Sequence, residues 1–160
     1  NTDQENYDNK VFTVINVADG DTIFVDWPDN VAMRGRTRIR LIGVDTPELG
    51  KGQDLDKPYS QEAYAYVRNL LMEQQVTIRL EPNSESRDKY DRLLGYVYIT
   101  ESDKMLNELL LENGLGWPDK RHQHIYQERF DKLGDIAKRK KIGLWSLPDP
   151  QLPEYLDSEQ

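Results

Sequence analysis

The chain has 160 residues, of which 37% are hydrophobic and 31% are charged, and its formal net charge is −8. This length is sufficient for one domain with a buried core, and the absence of cysteine excludes disulfides and thiolate metal ligands. No apolar run approaches the roughly 20 residues that a membrane helix needs, so membrane insertion is not expected.

The negative charge is concentrated at the two ends of the chain. Residues 1–10 carry a net charge of −2 and residues 149–160 a net charge of −4, whereas 11–148 carries 20 basic and 22 acidic residues. The acidic composition, together with the prolines near the C-terminus, predicts flexible tails at 1–10 and 149–160 around one domain at 11–148. Because the body is nearly neutral, the position of its cations decides whether it can bind a polyanion.

Five segments have the composition of strands. Residues 11–18 and 23–27 are rich in β-branched and aromatic residues and flank the turn Asp19-Gly20-Asp21-Thr22, which is a hairpin pattern. The third strand begins after Met33 and is predicted to end at Thr46-Pro47, because proline has no N–H for a sheet and disfavours helix in the residue before it. Residues 76–80 and 93–99 are the remaining predicted strands.

Four arginines alternate along the third strand, at positions 34, 36, 38 and 40, so that they share one face. For Arg34 and Arg36 a solvated strand face is the simpler interpretation. Arg40 differs because apolar residues occupy both faces of the strand around it, from Ile39 to Val44. We therefore expect Arg40 to be partly buried and to need an anionic partner.

Three segments have the period of an amphipathic helix. The first follows Pro58 and places apolar residues on one face between 59 and 71. The second follows Ser102 or Asp103 as a cap and stops at Asn113-Gly114, and the third spans 126–137 and ends in a basic run. Five strands with three helices predict a small α+β domain built on a five-stranded, partly open β-barrel of the OB type.

Charged side chains concentrate in three loops next to predicted strand ends: Asp19-Gly20-Asp21, Arg40 with Asp45-Thr46-Pro47-Glu48, and Asp88-Lys89-Tyr90-Asp91-Arg92. Each loop alone has an ordinary explanation, as a surface turn or a salt-bridge partner. Together they offer the oxygen ligands that Ca²⁺ or Mg²⁺ prefers and two guanidinium groups for a phosphate. A further carboxylate can deprotonate an attacking water. The set indicates a site for a divalent cation and a phosphodiester.

The same residues resemble the motifs of the staphylococcal nuclease (thermonuclease) family. The similarity spans residues 11 to 147 and includes, in family order, segments 19–22, 40–48 and 88–94 and the closing Gly143-Leu144-Trp145. It implies an OB-type barrel with three helices and a bound calcium ion. It also implies sequence-nonspecific, endonucleolytic hydrolysis of DNA and RNA to 3′-phosphate ends.

The resemblance implies a metal site made from two of these loops. Asp21 and Asp45 would bind calcium through their side chains, and Thr46 would bind it through its carbonyl oxygen. Asp19 would lie beside the metal without binding it directly.

The resemblance also implies which residues act on the substrate. Arg40 and Arg92 would hold the phosphate and stabilise the pentacoordinate transition state. Glu48 would be the general base for the attacking water. Lys89 and Tyr90 would contact a neighbouring phosphate of a bound nucleotide.

Three positions depart from the family pattern. Asp91 stands where the family usually has glycine, so it has to adopt left-handed backbone at a cost on the order of 1 kcal/mol, and it adds negative charge beside Arg92. The loop 117–124 lacks the tyrosines that flank the base in the best-known members, and Trp117 is available to stack, although packing is its simpler role. Ser60 replaces a glycine before the first helix.

The leading hypothesis is a calcium-dependent nuclease, and two other classes remain open. A catalytically inactive nuclease-like module that binds nucleic acid or protein would lack parts of the catalytic set, which is complete here. A calcium-binding or protein-interaction domain without a nucleic-acid partner would agree with the acidic total charge. The pair His122-Gln123-His124 has no third ligand nearby, so we do not expect a transition-metal site there.

The sequence also allows expectations about location and assembly. The resemblance and the missing initiator methionine predict a secreted or cell-surface protein. No feature of the chain predicts an oligomer, so we expect a monomer that binds DNA and RNA as substrates.

Overall fold

The computed structural model describes residues 2–159. In chain order, the elements are α1 (Thr2–Tyr7), β1 (Lys10–Asp19), β2 (Thr22–Val25), β3 (Thr37–Leu41), β4 (Val44–Asp45), α2 (Ser60–Leu71), β5 (Gln75–Arg79), β6 (Leu93–Ile99), β7 (Lys104–Met105), α3 (Leu106–Glu112), β8 (Trp117–Pro118) and α4 (Gln127–Arg139). Two 3₁₀ turns follow, at Gly143–Ser146 and Glu154–Glu159.

Strands β1, β2, β3, β5 and β6 form a closed barrel. β1 pairs antiparallel with both β2 and β5, β2 pairs with β3, and β5 pairs with β6. The barrel closes through a parallel pairing of β3 with β6, in which Ile39 lies opposite Leu93 and Leu41 opposite Gly95. The predicted five-stranded OB-type barrel is therefore confirmed, and α2, α3 and α4 are the three predicted helices.

The core lies inside the barrel and under the helices. β3 alternates buried and half-buried residues along its length, as the period of a strand with one buried face requires. Helix α2 buries Ala63, Val67 and Leu71 against it, and α4 contributes Phe130. No helix within residues 2–159 is long and apolar enough to cross a membrane.

The third predicted strand is interrupted, which the sequence pattern did not indicate. β3 ends at Leu41, Gly43 turns the chain with a φ of +76°, and the short strand β4 then pairs with β8 rather than with the barrel. In this pairing Asp45 lies opposite Trp117. The prediction of one continuous strand up to Thr46 was wrong, and the break brings Asp45 next to the segment that follows α3.

The N-terminal residues, predicted to be a tail, form helix α1, which packs on the barrel. Tyr7 is only 2% exposed, and both carboxylate oxygens of Asp3 accept hydrogen bonds from Arg87. Arg87 also donates to Asp29 over 2.7 Å. These contacts connect residue 3 to the loop before β6, although the domain limits of 11–148 stay a prediction.

We expect the substitution Arg87→Gln to lower the free energy of unfolding by about 3 kcal/mol, because it leaves a buried aspartate without its counter-ion. The side chain of Asp29 is 1% exposed and that of Arg87 10% exposed. Urea denaturation of the substituted and unsubstituted proteins measures the difference. The matched control is Arg79→Gln, since the side chain of Arg79 is 54% exposed and its ion pair with Asp8 is long, at 3.8 Å. We expect this control to lower the free energy of unfolding by less than about 1 kcal/mol. Equal losses in the two variants would contradict the proposed role of Arg87.

Candidate functional site

The three charged loops meet at one end of the barrel because of the strand register. β2 and β3 pair so that Thr22 lies opposite Arg40, and the backbone N–H of Leu41 donates to the carbonyl of Asp21. The parallel pairing of β3 with β6 places Arg40 opposite Leu94. The turn that carries Asp21 and the loop that carries Arg92 therefore both approach Arg40.

Arg40 is the centre of this site. Its side chain is 13% exposed and lies 3.6 Å from Asp21, 3.4 Å from Asp45 and 3.8 Å from Asp119. Nη1 also donates to the carbonyls of Leu41 and Val44, each over 2.7 Å. Burial opposes the charge, but the surrounding carboxylates outweigh it and hold the pKa of Arg40 above its ordinary value. The expectation that Arg40 is partly buried and has anionic partners is confirmed.

Asp21 is buried and ties two of the loops together. Its Oδ2 accepts hydrogen bonds from the backbone N–H of Thr46 over 3.1 Å and from the hydroxyl of Thr46 over 3.2 Å. Burial opposes the ionised form, yet Arg40 and these hydrogen bonds keep the pKa of Asp21 below its ordinary value. Asp21 is therefore a carboxylate that stays ionised between Arg40 and Thr46.

The pKa values of Asp19 and Asp45 are shifted upwards, opposite to that of Asp21. Burial, and then the neighbouring charge of Asp21, raise the pKa of Asp19 to about 7 and that of Asp45 to about 6. Three carboxylates thus crowd into one volume, where a divalent cation would neutralise them, and oxygen ligands suit Ca²⁺ or Mg²⁺. Among residues 2–159, however, no group of three or more His, Cys, Asp or Glu side chains is already arranged to hold a metal ion. The carboxylate oxygens suit a hard cation, but in their present orientation they do not complete the coordination shell of such an ion.

Arg92 reaches the site from the loop before β6. Its Nε donates to Asp88 over 2.8 Å, and its Nη1 lies 3.4 Å from the hydroxyl of Thr22, next to Asp21. The guanidinium lies 5.4 Å from the ring centre of Tyr90, and the ammonium of Lys89 lies 5.2 Å from the same ring. Asp91 has a φ of +61°, as expected for an aspartate in the place of a glycine.

Glu48 lies on the rim of the site rather than inside the ion cluster, which consists of Arg40 and the aspartates around it. Its side chain is exposed, and it lines a cavity of about 370 Å³ together with Asp45, Thr46 and Trp117. Residues 151–154 form another part of the wall of this cavity. The structure thus brings Asp19, Asp21, Arg40, Asp45 and Thr46 together, with Arg92 and Glu48 at their edge, and leaves Lys89 and Tyr90 exposed beside Arg92.

Three residues of the site were missed by sequence reasoning: Asp119, Arg121 and Tyr155. Arg121 donates to Asp119 over 2.8 Å, lies 3.7 Å from Asp45, and covers the ring of Tyr155 at 3.9 Å. The hydroxyl of Tyr155 donates to Oδ2 of Asp45 over 2.8 Å and accepts from Nε1 of Trp117 over 2.7 Å. The contact between Tyr155 and Asp45 spans 110 positions, so no local pattern points to it. Tyr155 stands between Leu152 and Leu156 in an acidic segment, and this apolar spacing was a sign that the segment packs on the domain.

A closed five-stranded barrel with helices packed on it, and with a partly buried arginine among aspartates at one end, defines a protein of the OB-type fold. Comparison with known sequences specifies the family. The family described as Staphylococcal nuclease homologue matches residues 38–147, and the chain belongs to this family.

Several curated relatives align with most of the chain. The thermonuclease of Staphylococcus hyicus is 36% identical over 142 residues, which cover 88% of this chain and 79% of the relative. The thermonuclease of Staphylococcus intermedius is 36% identical over 138 residues, covering 84% and 75%. The SPbeta prophage-derived endonuclease YokF of Bacillus subtilis is 31% identical over 140 residues, covering 84% of this chain and 43% of that protein.

The raised pKa of Asp19 predicts how the substitution Asp19→Asn changes stability with pH. Because the pKa rises from 3.8 to about 7 on folding, the stability of the unsubstituted protein falls as the pH increases through this range, and the neutral asparagine avoids this loss. In EDTA, we expect the variant to have the same melting temperature as the unsubstituted protein near pH 4 and a higher one above pH 7. Thermal unfolding followed by circular dichroism measures the two profiles, with the exposed Asp26→Asn as control. A pH-independent difference would contradict the prediction.

Proposed function

We propose that this protein is a calcium-dependent, sequence-nonspecific endonuclease that hydrolyses DNA and RNA to 3′-phosphate ends. The observation that carries the proposal is the convergence of Arg40, Arg92 and three aspartates at one barrel end, with Glu48 exposed on the rim. Membership of the family supports a nuclease, and relatives named thermonuclease and endonuclease support it further. Calcium, the choice of substrate and the product ends rest on the resemblance of the motifs.

The cation would be held by the side chains of Asp21 and Asp45 and by the carbonyl oxygen of Thr46. Asp19, close to Asp21, adds negative charge beside it. A bound calcium ion supplies positive charge for the oxygens of a phosphodiester, and the crowded carboxylates provide the site that this charge requires. This assignment is supported by the raised pKa values of Asp19 and Asp45, which result from burial and then from the neighbouring charge of Asp21.

The protein's own groups would act on the phosphate from two sides. Arg40, fixed by two carbonyl groups and its aspartates, and Arg92, positioned by Asp88, would bind the non-bridging oxygens and stabilise the charge that develops on them. Glu48 would accept a proton from the attacking water, because it is exposed at the cavity where such a water has access. The water oxygen would form its bond to phosphorus as the P–O5′ bond breaks. The 5′ oxygen would leave and take a proton from solvent to become a hydroxyl, and the phosphate would stay on the 3′ end.

The surface beside Arg92 supports a polyanionic substrate despite the net charge of −8. Arg38 donates to the carbonyl of Tyr90 over 2.8 Å, and its pKa is lowered by burial and by the positive charges of Arg34 and Arg92. The guanidinium of Arg36 lies 4.0 Å from the ring centre of Phe24. Cations that crowd one another favour phosphate contacts, and phosphate contacts carry no sequence information. Lys89 and Tyr90 extend this surface and would contact a neighbouring phosphate.

The alternative is a catalytically inactive nuclease-like module that binds nucleic acid or protein. One observation favours it: Oδ2 of Asp45 accepts a hydrogen bond from Tyr155 instead of facing an open cation position. The proposal also includes the expectations that the protein is secreted or located at the cell surface and is a monomer. Both expectations follow from the resemblance and from the sequence.

Nuclease assays with matched variants test the proposal. Plasmid DNA and a structured RNA are incubated with the protein in calcium, in magnesium and in EDTA, and end-labelling identifies the 3′ phosphate. We expect cutting of both substrates in calcium only, and a loss of at least about 10²-fold in Glu48→Gln and in Arg92→Gln. The controls Glu62→Gln and Arg68→Gln change exposed residues of α2 and should retain the activity.

The same assays distinguish the other hypotheses. If the protein leaves both substrates intact in calcium but retards DNA in a gel, the inactive module is correct. If it neither cuts nor retards them, the chain is a calcium-binding or protein-interaction domain. Cutting that survives in Glu48→Gln would contradict the role of Glu48 as the general base.

A further inference from the structure

The C-terminal segment 151–155 returns to the site and covers part of it. The chain leaves the 3₁₀ turn Gly143–Ser146, passes three prolines, and places residues 151–154 along the cavity that contains Asp45, Thr46 and Glu48. Tyr155 then reaches Asp45 itself. We propose that residues 151–155 form an autoinhibitory strap, which competes with a divalent cation for Asp45 and with a nucleic-acid strand for the cavity beside Glu48.

The contacts of Tyr155 occupy the oxygens that a cation would use. Oδ2 of Asp45 accepts from the hydroxyl of Tyr155 over 2.8 Å, while Oδ1 lies 3.4 Å from Nη2 of Arg40. The Tyr155 hydroxyl is itself oriented by Nε1 of Trp117. Both carboxylate oxygens of Asp45 therefore face protein donors, and a cation that approaches Oδ2 from the side of Tyr155 competes with this hydrogen bond.

Further contacts hold the strap in place beside the hydrogen bond from Tyr155 to Asp45. Arg121 covers the ring of Tyr155 at 3.9 Å and is held in turn by Asp119 at 2.8 Å. A tyrosine hydroxyl bonded to a carboxylate stays a donor, and the hydrogen bond to a charged acceptor is among the stronger ones in proteins. The closed arrangement is thus a specific set of hydrogen bonds and ring contacts rather than a loose covering.

The charge of the C-terminal residues indicates what opens the strap. Glu154 lines the cavity, so its negative charge repels a nucleic-acid strand that enters there, while a cation at Asp45 competes with Tyr155 for its acceptor. Cation and strand therefore favour the open form together. A ligand that binds one of two states better shifts the equilibrium towards that state. Calcium and nucleic acid would each strengthen the binding of the other.

The inference rests on the proposed function for its biological sense, but its test measures binding and not cutting. Calcium affinity is measured by isothermal titration calorimetry, and affinity for a short single-stranded oligonucleotide is measured by fluorescence anisotropy in EDTA. The variants are Tyr155→Phe, which removes one hydroxyl, and a chain that ends at Leu147. The control is Tyr64→Phe, which removes a hydroxyl from a half-buried tyrosine on α2.

We expect Tyr155→Phe to bind calcium about tenfold more tightly, the effect of removing one competing hydrogen bond to a charged group. The shortened chain should gain at least as much and should also bind the oligonucleotide more tightly, while Tyr64→Phe should match the unsubstituted protein. Circular dichroism and thermal unfolding confirm that each variant is folded. A synthetic peptide of residues 148–160, added to the shortened chain, should restore the weaker calcium affinity.

The opposite results overturn the strap. If Tyr155→Phe binds calcium with the same affinity as the unsubstituted protein, Tyr155 does not compete with the cation. If it binds calcium more weakly, Tyr155 positions Asp45 for the cation instead. Equal oligonucleotide affinity of the full and shortened chains would show that the segment does not obstruct the cavity. If neither chain cuts nucleic acid but removal of the strap still increases calcium affinity, the proposed function fails while the inference stands.

Discussion

The buried ion cluster around Arg40 is the interaction on which the site depends. A guanidinium that is 13% exposed cannot stay in the interior without compensation. Asp21, Asp45 and Asp119 provide that compensation from three separate segments of the chain. Each segment is a loop or a two-residue strand with little structure of its own, so their common partner at the end of β3 fixes their relative positions.

The cluster also explains why one end of the barrel is chemically unlike the rest. Arg40 keeps Asp21 ionised, while burial, and then the charge of Asp21, raise the pKa values of Asp19 and Asp45. The single positive charge of Arg40 does not neutralise all the carboxylates that surround it. The remaining negative charge is the physical basis for a cation site, and Arg92, which Asp88 holds beside Thr22, places a second guanidinium at its edge.

The barrel, the helices and much of this cluster were predictable because they depend on local patterns. A composition rich in β-branched, aromatic and apolar residues identified the barrel strands, and period 3.6 identified α2, α3 and α4. Arg40 was predicted to be partly buried because apolar residues surround it on both faces. The left-handed backbone of Asp91 was expected from the family resemblance, in which a glycine usually occupies this position. These features are determined by residues within a few positions of one another.

The parts that were not predicted depend on contacts between distant residues. The break at Gly43 exists because β4 pairs with β8, more than 70 positions later in the chain. Helix α1 is held by Arg87, and Tyr155 reaches Asp45 from a segment whose acidic composition indicated a flexible tail. Acidic composition alone was a poor guide, since Asp3 is a counter-ion of a buried arginine and Tyr155 covers the site.

The central claim is that the aspartates around Arg40 bind a divalent cation, and a calcium titration of the unsubstituted protein beside Asp21→Asn tests it most directly. Isothermal titration calorimetry should detect one calcium site per chain. Asp21→Asn should abolish that site, whereas Asp54→Asn, in an exposed loop, should leave it unchanged, with both variants shown to be folded by circular dichroism. Calcium binding of undiminished affinity in folded Asp21→Asn would contradict the account.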